Sequence, residues 1–145
     1  MSRRDGKIKP PLAGGRERIK IPAQPLESRP DDEAPVFCLR YMHSDYSVRA
    51  CTREDRASFA DALYELSQLT WAQLRQSPRH GKGYEKIPRG QLRVPLPPSL
   101  TITEDVDFIA FRFAGMKPMI GFRDRDGRTF RIVYLDPRFQ VYNHG

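Results

Sequence analysis

The sequence predicts an α+β domain: a helical hairpin packed on one face of a mainly antiparallel, four-stranded sheet. Three observations carry this expectation. A short alternating apolar run begins at Val36. A stretch with helical periodicity follows over residues 53–77. The chain then ends on three strand-like runs, separated by turns, between Phe108 and Leu135. One strand, two helices and a meander is the order of a layered domain whose helices gather on one sheet face.

The segment before that run is different in kind. Residues 1–35 contain none of the chain's aromatic residues and six of its 13 prolines. Such a composition buries too little apolar surface to offset its ordering entropy. The expected organisation is a disordered, basic, Pro-rich tail over 1–35 and a single domain over 36–145. Seven Lys or Arg face only Asp5 and Glu17 within residues 1–20, and the whole chain carries a formal charge of +7. A basic balance favours polyanionic partners, RNA or the ribosome first and an acidic protein second.

Val36-Phe-Cys-Leu-Arg-Tyr-Met42 reads as the first strand, with Phe37, Leu39 and Tyr41 on one side. Residues 43–50 are polar and turn-like. Thr52 is a helix start: its hydroxyl caps free amides, and Glu54 and Asp55 suit the positive end of the helix dipole. Phe59, Leu63, Leu66 and Thr70 recur at helical spacing, with Ala62 and Leu69 beside them. Thr70 followed by Gln73 matches a capping box, so the helix is expected to break and restart, giving helices over 53–67 and 71–77. Pro78 ends the second. Residues 78–99, rich in Gly and Pro, read as loop, with Leu92–Val94 a possible short edge strand.

In the run Phe108–Phe113, Ile109, Phe111 and Phe113 point one way, and Ala110, Arg112 and Ala114 the other. A turn over Gly115–Pro118 leads to a strand over Pro118–Arg123. Asp124-Arg-Asp-Gly127 is a hairpin turn. Thr129–Leu135 is the last strand, broken by Asp136-Pro137.

Several function classes fall away. Two cysteines, Cys38 and Cys51, provide neither a metal spacing nor a disulfide framework. No apolar run approaches the ~18 residues of a membrane span. The first residues are not followed by the apolar stretch of a secretory signal. The expectation is a cytoplasmic protein with no membrane association, no cofactor and no metal.

Candidate binding residues cluster in the loop His80-Gly-Lys-Gly-Tyr-Glu-Lys86. It lacks the spacing of a P-loop, but Lys82 and Lys86, with Arg89 just beyond, suit a nucleic-acid backbone. Tyr84 suits stacking on a base. Arg112 stands mid-strand between alanines, on what reads as a shallow patch where a guanidinium fork can meet phosphate. Arg123, at the end of the neighbouring strand, is a candidate second cation there. Tyr142 and His144 are two apart, so an extended tail turns them the same way. A histidine near its ordinary pKa can move a proton at neutral pH.

Taken in order, the strand, the helical hairpin, the basic loop Gly81-Lys-Gly-Tyr-Glu-Lys86, the Arg-bearing meander and the terminal Tyr142-Asn-His144 resemble the RelE/YoeB/ParE superfamily of bacterial toxins over residues 36–145. The resemblance implies a RelE-like fold and a toxin of a toxin–antitoxin-like system. It implies a metal-independent endoribonuclease that cuts messenger RNA on the ribosome and is restrained by an antitoxin, an acidic one for so basic a chain. Glu85, Arg112, His144 and Tyr142 match the places of the YoeB-like catalytic groups. In that chemistry Glu85 or His144 takes the 2′-hydroxyl proton, Arg112 and Arg123 stabilise charge on phosphate, and His144 or Tyr142 assists the leaving 5′-oxygen. The chain departs from the family where Asn143 separates Tyr142 from His144 and where the Pro-rich stretch 88–98 is added. ParE-like members share the architecture and attack gyrase without cutting RNA. The alternative is therefore a non-catalytic basic binding protein of a mobile element or phage, acting on nucleic acid or on a protein.

Overall fold

The computed structural model describes residues 29–78 and 81–143. Strand β1 (Val36–Cys38) precedes helices α1 (Arg53–Leu66) and α2 (Trp71–Gln76). Strands β2 (Glu85–Ile87), β3 (Phe108–Ala114), β4 (Lys117–Arg123) and β5 (Thr129–Leu135) follow. The helices begin where the sequence placed their N-caps, and each ends one residue short of the expected end. Thr52 accepts from Asp55 N–H, and Thr70 and Gln73 form both halves of the capping box.

The sheet departs from the expected four antiparallel strands. It has five, in the order β1-β5-β4-β3-β2. The meander from β2 to β5 is antiparallel, but β1 runs parallel to β5, pairing Val36 with Thr129 and Cys38 with Arg131. Two causes account for the difference. The three residues of β2, Glu85–Ile87, lie within the Gly/Pro-rich stretch and pair with β3 only as an edge. The helical crossover carries the chain from β1 to that far edge, so the meander returns beside β1 with β5 in the same direction.

Glycine is required at two points of the meander. The register slips between Ile120 and Gly121, and a Cβ at Gly121 would lie 1.9 Å from the Arg131 carbonyl oxygen. In the β4–β5 turn Gly127 has φ 73°.

Both sheet faces are covered. On one, Phe59, Leu66, Trp71 and Leu74 of the helices pack with Ile109, Phe111, Phe113 and Phe130. This is the expected aromatic face, and Leu63 contributes as a half-buried neighbour. The other face was expected to be open around Arg112. Instead Phe108, Ala110, Ile120, Phe122, Val133 and Tyr134 form a second core with Ile87, Leu100, Val141 and Tyr142. The Pro-rich segment is fastened over it: fully buried Tyr134 donates its hydroxyl proton to Val94 O at 2.8 Å. Burial pushes the Tyr134 hydroxyl up to about 12.

Of the expected tail, residues 1–28 lie outside the described residues. The last seven, 29–35, are tied to the domain. Asp31 pairs with Arg75 at 2.9 Å and Arg123 at 2.6 Å. Glu33 pairs with Arg128 at 2.8 Å, and the Glu33 carbonyl accepts from Trp71 N–H at 3.0 Å.

Candidate functional site

Three distant chain segments meet at one point of the second face. Glu85 of β2 sits opposite Ala110 of β3. Side chains of one face recur every second residue, so Glu85 shares its face with Arg112. Just past Arg112 the ladder slips between Arg112 and Ala114. Ala114 therefore packs against the helix-side core instead of flanking Arg112, correcting the expected alanine-walled patch.

Tyr142 arrives from the C-terminal segment, which Asp136 holds. This carboxylate is fully buried and accepts from Gln140 N–H and Val141 N–H, both at 2.8 Å. Just before them Phe139 takes φ 57°. The segment then lies along the Pro-rich loop: Arg93 N–H donates to Val141 O at 2.7 Å, and Leu92 and Tyr142 form an antiparallel bridge.

The three side chains form a closed triangle. The Tyr142 hydroxyl donates to Glu85 Oε2 at 2.6 Å. Arg112 donates from Nη1 to Tyr142 Oη at 3.2 Å and from Nη2 to Glu85 Oε2 at 3.4 Å. Arg112 is 10% exposed and Glu85 16%. Burial raises the Tyr142 hydroxyl to about 12; the Arg112 bond opposes that shift and the Glu85 bond adds to it. Arg112 Nε is buried with no acceptor among the described residues. A buried donor left in that state costs about 1–3 kcal/mol. The triangle offers a carboxylate acceptor, a hydroxyl that keeps its proton across the neutral range, and a fixed guanidinium, the elements of proton transfer beside a developing anion.

The other sequence candidates do not join it. Arg123 belongs to the opposite end of the β3–β4 pair, where Phe122 faces Phe108 while Arg112 faces Pro118. Its guanidinium lies 4.3 Å over the Trp71 ring, donates to Gly127 O at 2.7 Å and pairs with Asp31. Tyr84, expected to stack on a base, packs edge-on against Trp71 and Phe111 on the helix side. Lys82 pairs with Glu65 of α1, and exposed Lys86 pairs with Asp107 at 3.2 Å. Arg89 lies 5.4 Å over the Phe108 ring and donates to Thr103 O at 2.9 Å. His144 lies outside the described residues, as does His80.

Sequence reasoning missed Asp136, read only as a strand breaker, and Arg93. An acidic residue before proline at a strand end marks a turn, but nothing local shows that its carboxylate will hold amides four and five residues on. Among the described residues, no group of three or more His, Cys, Asp or Glu is placed to hold a metal ion. No described helix is long and apolar enough to cross a membrane. Comparison with family models, with curated proteins and with solved structures finds no match to this chain.

Proposed function

We propose that the protein is a metal-independent endoribonuclease that cleaves messenger RNA, in the manner of the toxins it resembles, with Glu85, Arg112 and Tyr142 as its catalytic groups. The observation that carries this reading is the convergence of the three on one another from β2, β3 and the C-terminal segment, with Tyr142 Oη 2.6 Å from Glu85.

The chemistry balances on these groups alone. The ribose 2′-oxygen attacks the neighbouring phosphorus and yields its proton to Glu85. Negative charge grows on the non-bridging oxygens beside Arg112, whose fixed fork needs no reorganisation to receive it. The bond from phosphorus to the 5′-oxygen breaks, and Tyr142 gives that oxygen a proton. The short Tyr142–Glu85 contact then passes the proton from Glu85 back to Tyr142 and restores the site. The products are a 2′,3′-cyclic phosphate and a free 5′-hydroxyl. His144, expected from the sequence to share the proton transfer, remains part of the proposal.

The test is cleavage of RNA, naked and on translating ribosomes, by the wild type beside Arg112→Ala. The rate is expected to fall about 10²–10³-fold, as for loss of a single oxyanion donor, with folding verified by thermal unfolding. A folded Arg112→Ala protein that cuts at the wild-type rate overturns this reading. A wild-type protein that leaves RNA uncut, naked and on ribosomes alike, overturns cleavage itself, and the non-catalytic binding protein, acting on nucleic acid or on a protein, then replaces it.

A further inference from the structure

Two grooves border the triangle, and their charges differ. The first lies between α1, the Gly81-Lys82 loop and the β3–β4 turn, and Arg112 reaches its wall. Asp61 and Glu65 also line it, and Lys82 is held by Glu65. Its two cations thus face two carboxylates, a poor field for a polyanion.

The second groove, of about 300 Å³, is lined by Arg89, Leu92, Arg93, Val94, Pro95 and Leu96. None of these residues is acidic. The backbone that bears them is fixed on two sides, by Tyr134 Oη on Val94 O at 2.8 Å and by Arg93 N–H on Val141 O at 2.7 Å. It also leads to the triangle, since Leu92 bridges to Tyr142. The Arg93 side chain is exposed and, among the described residues, makes one hydrogen bond, from Nη2 to Asn143 Oδ1. Among the same residues Arg89 makes one hydrogen bond, to Thr103 O. A guanidinium carries five N–H donors, so both keep donors to give.

We propose that this groove is a binding track for single-stranded RNA, with Arg93 and Arg89 on successive backbone phosphates and Leu92, Val94 and Leu96 against sugar and base. This deepens the ribonuclease reading and rests on it for the identity of the strand. It moves the RNA contact from the Lys82–Lys86 loop to the Pro-rich segment. A positively charged groove that tracks the backbone is the electrostatic half of a single-strand site; here aliphatic side chains stand where such sites place aromatic rings, and a backbone already held in place loses little entropy on binding.

The test uses the full chain and a 2′-O-methyl RNA oligonucleotide, which has no free 2′-hydroxyl and so is not cleaved. Affinity is measured against salt concentration. Each phosphate contact to a single strand contributes about 0.7 to the slope of log affinity on log salt. Arg93→Ala is expected to lower the slope by about 0.7, Arg93→Lys to retain it, and Lys82→Ala to leave it unchanged. An unchanged slope for Arg93→Ala, or a drop for Lys82→Ala instead, overturns the track. The arms separate this proposal from the one beneath it. If the slope falls for Arg93→Ala while the wild type leaves unmodified RNA uncut, the track stands and the nuclease reading fails. If cleavage depends on Arg112 while the slope ignores Arg93, the track alone is wrong.

Discussion

Arg112 shows what one residue tells before and after folding. Its place mid-strand, on the face away from Phe111 and Phe113, is legible from alternation alone. Its partners are not: Glu85 and Tyr142 stand 27 and 30 positions away. The sequence resemblance points to both, whereas a place for Arg123 beside Arg112 depends on strand register, which is not readable from a single strand. Burial leaves a signature that can be measured at this scale. The hydroxyls of Tyr142 and Tyr134 both rise from an ordinary 10 to about 12. A folded pKa above the unfolded one contributes stability that is complete below pH 10 and is lost as pH climbs toward 12. Absorbance at the phenolate band is therefore expected to show two tyrosines titrating late, one disappearing in Tyr142→Phe and the other in Tyr134→Phe. Unfolding measured in parallel is expected to ease from pH 10 upward. Titration of every tyrosine near pH 10 in the folded protein contradicts the burial of both.

At the scale of elements, the helices were readable because period and caps agree. Phe59 and Leu66 mark the buried stripe, and Thr52 and Thr70 begin each helix. The long strands were readable for the same reason, since seven residues suffice to show alternation. Strand β2 was not, because three residues flanked by Gly and Pro carry no period. Its existence depends on the β3 edge it pairs with. The bulge at Gly121 was equally invisible, since it arises from where β5 approaches. Gly121→Ala is expected to destabilise the protein by several kcal/mol: its Cβ would strike backbone, which cannot turn aside as a side chain can. Chemical denaturation measures it. A loss within about 0.5 kcal/mol, as at ordinary surface positions, contradicts the close approach.

At the scale of the whole molecule, the two cores enclose the sheet, and the described flanking stretches, residues 29–35 and 136–143, are fastened to it. Composition set the domain boundary at residue 36, but ion pairs of Asp31 and Glu33 with Arg75, Arg123 and Arg128 tie in the stretch before it. Arginines spread over α2, β4 and the β4–β5 turn converge there only in three dimensions. The Arg123 guanidinium, then that of Arg75, holds the Asp31 carboxyl below its ordinary 3.8. A depressed folded pKa contributes stability that is present above 3.8 and lost as pH falls through the folded value. Asp31→Asn is thus expected to melt below the wild type at neutral pH, with the gap closing in acid. A gap that persists unchanged in strong acid contradicts the pairing.

The Pro-rich segment that departs from the toxin pattern also belongs to this scale, since it closes the second core and pairs with the C-terminal segment that delivers Tyr142. In the proposed function these pieces assemble a site for cleaving RNA without a metal. The most direct measurement is the chemistry of the RNA ends left by the purified protein in the presence of a metal chelator. Cut RNA bearing 2′,3′-cyclic phosphate and 5′-hydroxyl ends, from Glu85, Arg112 and Tyr142 acting together, is the expected result. Intact RNA, or fragments bearing 5′-phosphate and 3′-hydroxyl ends, would contradict it.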